Sequence, residues 1–161
     1  MWKPPTPAEQ ELWNAVVAGV HAANRMDRGG FDAAVDRLTR LPGAWVRRTL
    51  TGTTRLLAEE FAPAPRDPWP LVAVQIDRVG AWLPEVDPQL LAALLPGRHR
   101  PLDPDVPDDP RYLMHRLLLI ACLSNVAQSG VGAFVDVALA RDGGRAGRRL
   151  SGLVPQHRTG R

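Results

Sequence analysis

The longest apolar stretch of the chain lies between residues 112 and 140. Residues 117–123 read Leu-Leu-Leu-Ile-Ala-Cys-Leu, apolar on every side of a helical wheel. A helix with no polar face leaves nothing for water and belongs at the centre of a bundle or in a membrane. Asp109-Pro110 sets its start, with Asp as N-cap and Pro at the first helical position. Ser129-Gly130 breaks it, and Val131 to Ala140 resumes as a second apolar helix that Asp142-Gly143-Gly144 is expected to end.

Upstream, apolar positions recur every three to four residues on otherwise polar segments, the mark of helices with one buried face. Thr6-Pro7-Ala8-Glu9 has the form of a capping box, and Trp13, Val16, Val17, Val20 and Ala23 follow on one face. The helix is expected to run to about Arg25, with Gly29-Gly30 as its stop. A second helix over 31–40 turns Phe31, Ala34, Val35, Leu38 and Leu41 inward and sets Asp36 four residues from Arg40. After Leu41-Pro42-Gly43 a third helix runs to about Phe61, with Val46, Leu50, Thr53, Leu57 and Phe61 as its stripe. Residues 49–54, Thr-Leu-Thr-Gly-Thr-Thr, form helices poorly and predict a kink near Gly52. A proline-rich connector precedes a fourth helix over 70–82, for which Leu71, Val74, Val79 and Trp82 are the expected anchors. Asp87-Pro88 caps a short fifth helix, and 96–109 reads as a proline- and aspartate-rich surface loop.

The pattern predicts an all-α, single-domain helical bundle of about six or seven helices with a buried C-terminal helical hairpin. Its expected extent is 1–142, with 143–161 as a disordered basic Gly/Arg tail. Residues 12–24 align without gaps to residues 113–125. Either that match is the ordinary likeness of Ala/Val/Leu-rich helices, or two hairpins pack about a pseudo-twofold axis.

Charge alters the picture only at one end. The formal net charge is +3, but residues 141–161 hold six arginines against Asp142, so the remainder is slightly acidic. Nineteen of the 20 basic residues are arginine, which with abundant Ala, Pro and Gly fits a GC-rich coding bias. The single cysteine, Cys122, excludes an intrachain disulfide and reads as a packed thiol. The N-terminal residues show no apolar signal region, so the cytoplasm is the expected compartment. A membrane span is disfavoured, because Ser124, Asn125, Gln128, Ser129 and Asp136 interrupt residues 117–140.

Chemistry-bearing motifs are scarce. The four histidines show no metal-ligand spacing, and Asp103, Asp105, Asp108 and Asp109 lack the glycine and terminal glutamate of a calcium loop. No nucleophile elbow and no phosphate-binding glycine loop occurs. No cofactor, metal or catalytic residue is expected. His21, Asn24, His115 and Asn125 would line a polar pocket if the first and sixth helices were neighbours, the plainer alternative being that each satisfies a backbone group or water. Arg47, Thr51 and Arg55 repeat at four-residue spacing, with Arg48 and Arg40 nearby, in the outline of a helix-turn-helix. The alternative is a solvated face with an Arg55–Glu59 pair. Trp2 and Trp69 lie in proline-rich segments and are either docked clamps or exposed interface anchors.

Three classes of function follow. The first expectation is a small non-catalytic regulatory or adaptor protein that binds another protein or itself as a homodimer. A DNA-associated regulator using the third helix and the arginine tail ranks below it. A helical binder of a small molecule in an apolar cavity is the third.

Overall fold

The computed structural model describes residues 5–60, 68–96, 110–127 and 130–151, with the backbone alone for 126–127 and 143–151. The described residues form seven helices and no strand: α1 (Pro7–Asn24), α2 (Arg28–Thr39), α3 (Gly43–Glu60), α4 (Trp69–Trp82), α5 (Pro88–Leu94), α6 (Pro110–Ala127) and α7 (Val131–Ser151). They build a single-domain helical bundle.

Local chemistry sets most of the helix ends. The Glu9 N–H donates to Thr6 Oγ1 at 3.2 Å and the Thr6 N–H to the Glu9 carboxylate at 3.0 Å, which completes the predicted capping box of α1. α1 ends at Asn24, within a residue of the expected Arg25, but Gly29-Gly30 is not what stops it. The stop falls at Met26, which takes a positive φ of 56°. The Asp27 N–H reaches the Ala22 carbonyl at 2.8 Å and the Met26 N–H the Ala23 carbonyl at 3.1 Å. This pairing is a Schellman motif with methionine where glycine is usual. Asp27 then caps α2 by accepting from the Gly30 N–H, so Gly29 and Gly30 lie in the first turn of α2 instead of ending α1.

Two further expectations are corrected in α3 and α7. No kink divides α3. The Thr49, Thr53 and Thr54 hydroxyls donate to the Trp45, Thr49 and Leu50 carbonyls at 2.8–3.0 Å, so each buried hydroxyl is satisfied within the helix. Gly52 gives α7 room beside it, with Ala138 next to the space a side chain would fill. α7 does not stop at Asp142 but runs through Gly143 and Gly144 to Ser151. Each glycine costs a helix about 1 kcal/mol but does not forbid it, and no proline follows until Pro155. The expectation of disorder over 152–161 lies outside the described residues.

α6 is the hub. Leu117, Leu118, Leu119, Ile120, Ala121, Cys122 and Leu123 are all buried, because α6 packs against α1, α2, α3, α4 and α5. Burial of Cys122 pushes its thiol pKa up to about 12. α7 lies across α1 and α3, burying Val131, Val135 and Ala138 while Val137 faces out. Trp13 Nε1 donates to the Gly132 carbonyl at 3.1 Å and pins that crossing. Among the described residues α6 and α7 pack mainly on α1 and α3, not on each other. α6 and α7 therefore do not repeat the close α1–α2 pairing, and the aligned segments do not form two equivalent hairpins. The fourth helix is rotated from its expected setting. Val72 and Val79 are buried, whereas Leu71 and Val74 point outward.

Candidate functional site

α2 ends at Thr39, three residues intervene, and α3 departs at Gly43. The two helices diverge from this corner, and the first turns of α6 pass beside it. Side chains facing the gap enclose an open cleft of about 160 Å³. Leu38, Leu41, Val46 and Leu113 line it with apolar surface, and Gly43 and Pro110 contribute little side-chain bulk. The polar lining is Thr39, Arg47 and Arg116.

The arrangement follows from helix periodicity. Leu38 and Val46 belong to the stripes that face the core and are 1% and 2% exposed. Arg47, one position on, lies at the edge of that stripe and is half-buried. Arg116 stands on α6 immediately before the all-apolar run, and its Nη1 donates to Thr51 Oγ1 on α3 at 3.1 Å. That bond lays the Arg116 side chain across α3. Thr39 Oγ1 donates to the Asp36 carbonyl at 2.6 Å, so this rim hydroxyl is already engaged by its own helix. A guanidinium keeps its charge when it is hydrogen-bonded. The cleft therefore pairs an apolar lining with a cationic rim.

The sequence-predicted residues are dispersed by the fold. Arg47 lines the cleft. Arg40 lies off it, exposed and 3.6 Å from Asp36, the helix pair expected from spacing. Arg48 turns toward α7 and holds Asp142 at 3.2 Å. Arg55 is exposed, and the expected pair with Glu59 does not form.

The polar pocket is not assembled. His21, Asn24 and Asn125 are exposed, with Asn125 Nδ2 3.5 Å from Gln75 Oε1. His115 alone is buried. Its Nε2 accepts the Asp87 N–H at 2.9 Å, so the ring proton sits on Nδ1, which lies 2.7 Å from the Arg111 carbonyl. Arg111 also holds the Asp87 carboxylate at 2.6 Å. The outcome for His115 is a brace between α5 and α6, because α1 and α6 meet along apolar faces and leave no room for four amide and imidazole groups. Trp69 packs half-buried against the core as a docked side chain. Trp2 lies outside the described residues.

Arg116 and Leu113 escaped sequence reasoning, whereas Thr51 was part of the expected polar stripe. The usable signal was a lone arginine flanking an all-apolar helix, which reads equally well as the edge of a hydrophobic span. Among the described residues no cluster of three or more His, Cys, Asp or Glu side chains has the arrangement of a metal site. No helix of the described residues is long and apolar enough to cross a membrane. No protein-family model matches the chain, and neither a curated protein nor a solved structure is found similar to it.

Proposed function

We propose that this chain is a non-catalytic interaction module, a regulatory or adaptor protein that works by holding another protein. The single observation that carries the reading is the apolar cleft between α2, α3 and α6 with Arg47 and Arg116 at its rim. Its volume of about 160 Å³ supports a protein side chain as the occupant over a small molecule. Pockets for drug-sized ligands run to about 300–1,000 Å³. A cleft of the observed size suits one or two aliphatic side chains, the kind of central anchor that dominates protein interfaces. A cytoplasmic setting belongs to the same proposal and is supported by the lone, buried Cys122.

The DNA-binding reading has less support. Most of α3 is committed to the core through Val46, Thr49, Leu50, Thr53, Thr54 and Leu57. On its outer strip Arg48 holds Asp142, and Thr51 receives Arg116. Little is left to reach base edges.

The test is photo-crosslinking in the source cells with benzoylphenylalanine in place of Thr39, the exposed rim position. The expected result is one discrete adduct that a second substitution, Leu41→Trp, removes by filling the cleft. Circular dichroism would establish that the doubly substituted chain still folds. An adduct unaffected by Leu41→Trp, or no adduct beyond that of an exposed control position such as Ala33, would overturn the reading.

A further inference from the structure

The large apolar side chains left in water include two on one face of α4. Leu71 is 44% exposed and Val74, one turn on, 77%. Arg78 and Ala81 continue that exposed face. Positions 71, 74, 78 and 81 have the alternating three- and four-residue spacing of a seam between two helices. The helix cannot roll to hide this seam. Its other side is fixed by buried Val72 and Val79, by Gln75 Nε2 donating to the Cys122 carbonyl at 3.2 Å, and by the edge-on contact of Trp82 with Phe31.

Charge on the same face identifies what covers it. Asp77 and Arg78 are neighbours in sequence and both exposed, and neither forms an ion pair with a described residue. Arg28, Arg37, Arg40, Arg48 and Arg111 each hold a carboxylate of their own chain. Across a two-fold axis residue i meets j while j meets i. Adjacent opposite charges next to such an axis are then complementary to their own copy, whereas parallel helices in register would set like against like.

We propose that two copies of the chain pair through α4, antiparallel, about a two-fold axis near residues 77 and 78. Val74 comes to lie opposite the partner's Ala81 and loses its contact with water, and each Asp77 meets the partner's Arg78. α4 has 14 residues, a length of about 21 Å at the helical rise. One helix pair of that size buries less than the roughly 1,200 Å² of a stable complex. The dimer is therefore weak and reversible. It is independent of the cleft, which lies between other helices.

Sedimentation velocity on the full chain from about 10 µM to about 1 mM tests the proposal, a range suited to a small interface. The average mass should rise from 17.6 kDa toward twice that value. Val74→Glu should hold the chain monomeric with its helical content unchanged. Asp77→Arg and Arg78→Asp should each weaken association roughly tenfold, a little over 1 kcal/mol. An equimolar mixture of those two chains, and the double variant Asp77→Arg/Arg78→Asp, should each restore it. A chain monomeric throughout the range would overturn the proposal. So would a dimer indifferent to Val74→Glu, or charge variants that mixing does not rescue.

Discussion

Replacing His115 with alanine removes a brace whose worth can be worked out from its contacts. The side chain is fully buried, and its Nε2 is the acceptor for the Asp87 N–H at 2.9 Å. Alanine leaves that amide without its partner at the start of α5. A buried, unpaired donor costs about 1–3 kcal/mol, with the lower half of the range fitting a site that water can partly reach. Truncating imidazole to methyl also vacates about 60 Å³, which at roughly 24 cal/mol per Å³ adds about 1.5 kcal/mol if the walls do not collapse. The expected loss is about 2–4 kcal/mol, a large share of the roughly 5–15 kcal/mol that holds a domain together. Tm should fall by roughly 10 °C.

His115→Gln supplies the control, since its amide oxygen keeps an acceptor near Asp87 and fills most of the space. It should lose about half as much. Urea unfolding followed by circular dichroism measures both losses, and hydrogen exchange localises them. The Asp87, Gln89 and Leu90 amides should lose protection in His115→Ala before amides of α1 do. Equal losses for the two variants would show that the hydrogen bond contributes nothing. A loss under about 1 kcal/mol would refute the brace altogether.

Two further predictions concern the core. Cys122 should be unreactive toward thiol reagents at pH 8 in the native protein and modified only at the rate of unfolding, since burial raises its pKa to about 12. The sign for stability follows. Below about pH 8.5 both folded and unfolded thiols are protonated and stability is flat, while above it only the unfolded thiol ionises, so stability falls by about 1.4 kcal/mol per pH unit until the folded thiol also titrates. Urea midpoints of wild type and Cys122→Ser between pH 8 and 10.5 isolate this slope, and parallel curves would contradict it. Two glycines should respond oppositely to alanine. At Gly132 the new Cβ would stand 2.7 Å from the Trp13 ring, so overpacking of about 1–3 kcal/mol outweighs a helix-propensity gain of up to about 1 kcal/mol. At Gly80 nothing lies within 4 Å, and the same substitution should stabilise by about 0.5–1 kcal/mol. Thermal melts of the pair would decide, and a stabilised Gly132→Ala would sink the close-approach account of the α1–α7 crossing.

The sequence by itself determined the elements wherever the cause was local. The capping box at Thr6, the Asp87 and Pro88 start of α5, the three-residue link between α2 and α3 and the all-round burial of residues 117–123 in α6 each follow from neighbours along the chain or from periodicity. So did the Asp36–Arg40 pair. Tertiary structure decided whatever depended on which faces meet. Leu71 and Val74 share a stripe with nothing to mark them as outward, and only the bonds of Gln75 and the burial of Val72 and Val79 set the rotation of α4. Met26 terminates α1 at a residue with no turn preference, because Ala22 and Ala23 offer their carbonyls there and Asp27 can begin the next helix. α7 runs through Gly143, Gly144 and Gly147, since a cost of about 1 kcal/mol each is smaller than what continued helix supplies. The candidate cleft was half legible. Arg47 stood out as part of a polar stripe, but Arg116 is more than 60 residues away in sequence, and periodicity along one helix carries no information about which residue of another will face it.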